Sequence, residues 1–202
     1  MVKILHFADA HIDIATHGPY DPDEALFVRV KDFLKSLDAI VAAAIDEKVD
    51  LVIFAGDAYK DRSPAPTYQR AWGSRIMRLS RAGIPSILIT GNHDTSPSSK
   101  KAHAIQEFST LDVPHVHVID RPQVLGPKDL EGLPVQVLGI PWITPSLVKN
   151  SAPEAADPKA ELDVIIENMV NVLIQQALAQ RDPELPFILA AHASIRGALL
   201  GD

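Results

Sequence analysis

Four places along the chain carry residues that ligate hard and borderline metal ions, and each follows a short apolar run. Asp9 and His11 follow "KILHFA", Asp57 follows "LVIFAG", Gly91-Asn92-His93-Asp94 follows "SILIT", and His192 follows "FILAA". Two positions apart in an extended segment, Asp9 and His11 face one side and grip one ion, oxygen and imidazole together suiting Mn, Fe or Zn. A carboxylate such as Asp57 bridges two ions. Asn92 and His192 supply an amide oxygen and an imidazole, which hold a second ion without adding negative charge where a phosphate must approach. Two ions roughly 3.5–4 Å apart would activate a water and stabilise both the attacking and the leaving oxygen of a phosphoester displacement. His93 projects away from Asn92 and suits proton donation to the leaving oxygen. Asp94 is placed to orient that imidazole, as a second catalytic residue, or to cap the next segment. Gly56 and Gly91 each precede a ligand, where the backbone must turn sharply and come close to ion or substrate without a Cβ.

Each residue alone has a plain structural reading: Asp9 a turn residue, Asp57 a helix N-cap, His192 a satisfied core histidine. Jointly those readings fail, because separate strand ends all deliver ligand types and the Gly-Asn-His-Asp tetrad stands in the context that confirms a motif. His6, His17, His103, His115 and His117 lack such a context and read as surface or core residues, and Asp13 reads as a loop residue.

The elements that must position these residues are read from periodicity. "VKILHFA", "DLVIFAG", "SILIT", "HVHVID", "VQVLGI" and "FILAA" read as strands. Between the first two, Phe33, Leu34, Leu37, Ile40, Val41, Ala44 and Ile45 recur at helical spacing. A second helix is expected from about Thr67 to Arg81, ended by Gly83 and Pro85, and a third from about Lys159 to Ala179. "PWITPSLVKNSAPEAADP" reads as a surface connection. The pattern is α/β, and in open α/β sheets ligands gather beyond the carboxyl ends of the strands.

At 202 residues and 47% hydrophobic content the chain fills one core. A net charge of -7 argues against coating nucleic acid by bulk charge. With no Cys and 8 His, disulfides and thiolate metal sites are excluded, so any ion is held by His, carboxylates and amides. The start, "MVKILHFADAHID", is too short and too polar for a signal peptide or a membrane span, so the expectation is a soluble cytoplasmic protein. From Tyr59 to Arg81 there are five Arg and one Lys against one Asp. Lys60 and Arg62, just after the bridging carboxylate, are therefore the candidate substrate-phosphate contacts. The alternative for this stretch is a solvated amphipathic helix whose arginines pair with acidic neighbours. Trp72 and Tyr68 within it read as packing residues.

Asp9-Ala10-His11, Gly56-Asp57, Gly91-Asn92-His93-Asp94 and His192 resemble the successive motifs of the calcineurin-like metallophosphoesterases, and within them the SbcD-type DNA repair exonucleases. The segment from Arg29 to Ala71 and "AHASIRGA" are also similar to that subfamily. The resemblance implies a four-layer α-β-β-α sandwich, a dinuclear manganese site and nuclease activity on DNA ends, with an SbcC-type ATPase partner and a homodimeric assembly. It implies that Asp9, His11 and Asp57 bind one ion, that Asp57, Asn92 and His192 bind the other, and that His93 is the general acid. The family's closing Gly-His-x-His motif does not occur before Asp202. The expectation is thus one domain over residues 1–202 lacking its last strands, with no capping domain or partner-binding tail. Lys60 occupies a position where relatives carry His or Asp. Two other functions compete: a phosphatase or nucleotide phosphodiesterase of the same superfamily, and a non-catalytic interaction module with an incomplete metal site.

Overall fold

The computed structural model describes residues 1–13, 18–23, 26–95, 102–151 and 162–195. His17, the expected helix start at 159–161 and the end of "AHASIRGA" lie outside them. In chain order the elements are β1 (Ile4–Phe7), β2 (Tyr20–Asp21), β3 (Leu26–Phe27), α1 (Val28–Asp46), β4 (Leu51–Ala55), α2 (Pro66–Arg81) and β5 (Ser86–Ile89), followed by α3 (Gln106–Thr110), β6 (Val116–Ile119), β7 (Gln123–Leu125), β8 (Gln136–Ile140), α4 (Pro145–Ser151), α5 (Leu162–Gln180) and β9 (Phe187–Ala191).

β1, β4, β5 and β6 pair in that order as a parallel sheet. Every residue of β4 and β5 is buried, as the unbroken apolar runs of parallel strands covered on both faces require. β7, β8 and β9 form a second sheet, antiparallel between β7 and β8 and parallel between β8 and β9. Leu51, Ile53, Ile87, Ile89 and Ile119 of the first sheet pack against Leu125, Val137 and Ala190 of the second.

The outer faces carry the helices. α1 buries Val30, Leu34, Leu37, Val41 and Ala44, and α2 buries Trp72, Ile76 and Leu79; each buried Val, Leu or Ile contributes about 1.5–3 kcal/mol. Gly83, at φ +68°, lets the Gly83 and Ile84 N–H groups turn back onto the Ser80 and Leu79 carbonyls, the Schellman ending that favours glycine. α5 is 19 residues long and apolar enough, at mean hydropathy 1.2 over 18 of them, to match a membrane span in length and composition. Its Ile165, Ile166, Met169, Val170 and Ile174 nevertheless pack against the second sheet with Leu138, Ile140 and Val148. The result is the expected α-β-β-α order of layers.

The six expected strands and three expected helices are present. The stretch read as a plain surface connection is corrected in part: residues 145–151 form α4. The Thr144 hydroxyl accepts the Leu147 N–H at 3.2 Å, Pro145 takes the first turn, and Val148 anchors the helix in the core. Seven residues are too few to display a helical period, and α3, β7 and the β2–β3 ladder escape sequence reading for the same reason.

Register places the chemistry. Phe7 pairs with Phe54, Ala55 with Ile89, and Ile140 with Ala191. The loops after β1, β4 and β5 therefore leave from one edge, and the end of β9 reaches the same edge, where His192 Nδ1 meets the Ala55 carbonyl.

Candidate metal centre

Asp57 lies at the middle of that edge, its side chain 4% exposed. Its Oδ1 accepts the His93 N–H at 2.9 Å. Its Oδ2 is flanked by two imidazoles, His11 Nε2 at 3.6 Å and His192 Nε2 at 3.5 Å. Asp9 Oδ1 is 3.7 Å from His11 Nε2, and Asn92 Oδ1 is 3.0 Å from His192 Nε2. Ligand atoms of Asp9, Asp57 and His192 all lie within 4.8 Å of one another. His11, His192 and Asp9 thus gather around the Asp57 carboxylate, and Asn92 joins the cluster through His192.

The same short segment, residues 55–60, sets the tautomers of three histidines. His192 Nδ1 donates to the Ala55 carbonyl at 2.6 Å, His11 Nδ1 to the Tyr59 carbonyl at 3.3 Å, and His93 Nδ1 to the Lys60 carbonyl at 2.6 Å. A carbonyl only accepts, so the proton is on Nδ1 in each ring and Nε2 is left for an ion or a substrate. His93 also meets His11 edge to face at 5.0 Å.

The backbone carries strain here. Asp9, His11 and Asp57 have φ of +53°, +38° and +61°, the left-handed region that few non-glycine residues occupy, Asp and His more often than most, and that costs each on the order of 1–3 kcal/mol. Asp9 and His11 therefore reach the centre through turned backbone, not through the extended segment expected of them. Asp9 N–H and His11 N–H donate to the Gly56 and Asp57 carbonyls, at 2.9 and 3.1 Å, which ties the β1 loop to the β4 loop. The glycines serve the ligands more than the substrate: a Cβ on Gly56 would stand 2.2 Å from His192 Nδ1, and one on Gly91 would stand 2.1 Å from Asp57 Oδ1.

Electrostatics fit a cation. Burial raises the Asp57 carboxyl, but hydrogen bonds from His192 and the His93 N–H outweigh it, and its pKa lies below the usual carboxylate value. The Asp57 hydrogen bond lifts His192 to about 9 against the opposing effect of burial. With Nδ1 committed to Ala55, neutral His192 would turn its Nε2 lone pair toward two oxygens. A proton or a metal ion must stand between them, and oxygen and imidazole donors around one point suit a divalent ion.

A family model for calcineurin-like phosphoesterases matches residues 2–197. The chain belongs to the calcineurin-like phosphoesterases. It is 31% identical over 134 residues to the DNA double-strand break repair protein Mre11 of Halobacterium salinarum, covering 66% of this chain and 32% of that protein. It is 28% identical over 168 residues to the protein of the same name from Saccharolobus solfataricus, covering 82% and 40%. The chain therefore spans less than half the length of these relatives. A crystal structure from Thermus thermophilus shares the fold, with TM-score 0.50 at 15% identity over 98% of this chain and 71% of that one.

In this calcineurin-like phosphoesterase Asp94 does not orient the His93 imidazole. Buried to 1% exposure, its carboxylate accepts the N–H groups of Asp57 at 2.7 Å, Ala58 at 3.0 Å and Gly91 at 2.9 Å. Burial holds its carboxyl up at about 6 despite those three donors. It braces the β4 and β5 exits against each other, and the Lys60 carbonyl orients His93 in its place. Asp13 is more than a loop residue: its buried carboxylate accepts the Lys60 N–H, fixing the turn that carries that carbonyl. Nothing in the sequence distinguishes this Asp from a surface one.

Lys60 is exposed beside the centre. Arg62 lines a separate groove of about 540 Å³ with Gln69, His103 and Gln106. Two arginines of the basic stretch are committed elsewhere: Arg75 and Arg78 both bind Asp38 of α1, at 2.6 and 2.7 Å. Trp72 is fully buried and Tyr68 packs against the same core. Trp142, unremarked in the sequence, meets the His192 ring edge to face at 6.2 Å and buttresses it.

Proposed function

We propose that this chain hydrolyses phosphodiester bonds in DNA, as the nuclease subunit of an SbcCD-type repair complex in the cytoplasm. The observation that carries the reading is the single carboxylate oxygen of Asp57 between His11 Nε2 and His192 Nε2, with Asp9 and Asn92 closing the ring. Asp9, His11 and Asp57 would hold one divalent ion and Asp57, Asn92 and His192 the other, with manganese as the physiological metal. When bound, the ions supply Lewis acidity and a nucleophilic water. His93, exposed and with its Nδ1–H fixed on the Lys60 carbonyl, exchanges a proton through Nε2 with the leaving oxygen. Lys60, and Arg62 from its neighbouring groove, contact the phosphate backbone. DNA ends are the substrate, an SbcC-type ATPase is the partner, and the subunit works as a homodimer. Relatives named as double-strand break repair proteins support the choice of DNA over a small phosphoester.

The test is release of nucleotides from linear duplex DNA in Mn2+. Activity is expected in the protein and a loss of more than about 100-fold in Asp57→Asn. Hydrolysis of small phosphomonoesters with DNA left intact would replace the nuclease with a phosphatase. Failure to bind Mn2+ at millimolar concentration, with Asp57→Ala indistinguishable from the unaltered protein, would leave a non-catalytic module.

A further inference from the structure

The loop after β1 is zipped to the loop after β4. The Asp9, His11 and Ile12 N–H groups donate in turn to the carbonyls of Gly56, Asp57 and Ala58, at 2.9, 3.1 and 3.2 Å. One step further the ladder continues through a side chain: the carboxylate of Asp13, a residue 5% exposed, accepts the Lys60 N–H. That N–H belongs to the Tyr59–Lys60 peptide unit, and the carbonyl of the same unit accepts His11 Nδ1–H at 3.3 Å. Asp13 and the His11 imidazole therefore sit at opposite ends of one peptide group.

Such a chain of hydrogen bonds is cooperative. A carboxylate on the N–H pushes electron density through the amide onto its oxygen, and the more negative oxygen is a stronger acceptor for the imidazole N–H. The His11 ring is then held harder at Nδ1, and its Nε2, 3.6 Å from Asp57 Oδ2, becomes a more basic ligand, as when a carboxylate bonds a ligating histidine directly. Burial of Asp13 keeps water from weakening the effect. His11 is alone in this among the three imidazoles fixed by residues 55–60. His192 and His93 donate to the Ala55 and Lys60 carbonyls, whose peptide N–H groups, those of Gly56 and Asp61, meet no carboxylate among the described residues.

We propose that Asp13 is a positioning residue for the metal centre: through the Tyr59–Lys60 peptide it fixes the His11 tautomer and raises the affinity of His11 for a divalent ion. This role deepens the hydrolytic reading and rests on His11 being a ligand within it. On an extended strand, Asp9, His11 and Asp13 would all project from one face. The left-handed backbone at Asp9 and His11 instead turns Asp13 onto the β4 loop, where it holds a backbone donor and stays out of the ligand group of Asp9, Asp57 and His192.

Asp13→Asn keeps an oxygen acceptor for the Lys60 N–H and removes the charge, whereas Asp13→Ala removes both; the test stands on Asp13→Asn even where Asp13→Ala does not fold. Imidazole nitrogen NMR on the metal-free proteins at alkaline pH reads the ring without any ion. His11 is expected in the Nδ1–H form in the unaltered protein, with its resonances displaced in Asp13→Asn and the Nε2–H form appearing in Asp13→Ala. His192 resonances, the internal control, should not move in Asp13→Asn. Mn2+ calorimetry should show binding weaker by about tenfold in Asp13→Asn and by up to about 100-fold in Asp13→Ala. Unchanged His11 resonances or unchanged Mn2+ affinity in Asp13→Asn would overturn the proposal and reduce Asp13 to a backbone brace. Equal displacement of His11 and His192 in that variant, the mark of a general loosening, would overturn it too. No Mn2+ binding by the unaltered protein would instead defeat the hydrolytic reading, and the metal-free His11 resonances would still support or refute the control of its tautomer by Asp13.

Discussion

Gly91→Ala isolates the contribution of close packing to the metal centre. The Gly91 backbone lies outside the left-handed region, so the penalty is steric. The new Cβ would stand 2.1 Å from Asp57 Oδ1, 2.5 Å from the Asp57 backbone nitrogen and 2.7 Å from its Cγ, where non-bonded contacts are ordinarily about 3.5 Å. Neither neighbour yields easily, because Oδ1 holds the His93 N–H at 2.9 Å and the nitrogen is tied to Asp94 at 2.7 Å. Asp57 must therefore move by roughly 1 Å to restore ordinary contact. Overpacking of this kind costs about 1–3 kcal/mol, and in a chain of this size each kcal/mol is worth about 2–4 °C in melting temperature. A displacement of about 1 Å in a positioning group lowers turnover on the order of 100-fold. Gly73→Ala is the matched control: a Cβ there meets no atom within 4 Å, and alanine in a helix interior is favoured over glycine by about 0.5–1 kcal/mol. Thermal denaturation and Mn2+ calorimetry on both variants should move in opposite directions for stability, with metal affinity lost only in Gly91→Ala. A Gly91→Ala protein that melts and binds Mn2+ as the unaltered protein does would refute the packing account of Asp57.

Asp94→Ala should destabilise the fold by at least about 3 kcal/mol in urea denaturation, since it orphans three buried N–H donors at about 1–3 kcal/mol each. Mn2+ affinity should rise with pH, up to about tenfold per unit, and level off near pH 9. The reason is that the His192 pKa is raised to about 9 by Asp57, so below that value an ion must displace a proton; calorimetry from pH 6.5 to 9.5 reads this directly. By the same shift, the stabilising His192–Asp57 pair is fully present below the ordinary histidine pKa and is lost as pH rises through about 9. Arg78→Ala should lower stability by no more than about 1 kcal/mol and leave DNA affinity unchanged, because Arg78 is paired to Asp38. Lys60→Ala should reduce the salt dependence of DNA binding by about one phosphate contact.

The strands and the ligand types at their ends were legible in the sequence because both signals are local. Unbroken apolar runs such as Leu51–Ala55 mark a strand covered on both faces, and a strand that stops on Gly-Asn-His-Asp has no packing reason to do so. Helix α4 was hidden because a capped turn of seven residues leaves no periodic trace.

Sequence by itself therefore determined the α/β class and the five residues offered as ligands, since residue type and periodicity fix what each segment can bury and what it can coordinate; the layer order followed only from the family that those motifs resemble. Tertiary structure alone decided their geometry. It committed Asp94 to backbone N–H groups, gave the orientation of His93 to the Lys60 carbonyl, put Asp9 and His11 on left-handed backbone, and brought Asp13 to the Lys60 N–H. Those outcomes depend on which loops lie side by side once β1, β4, β5 and β9 are in register. Hydrogen-bond partners far apart in the chain are chosen by that packing, and no single segment carries the information.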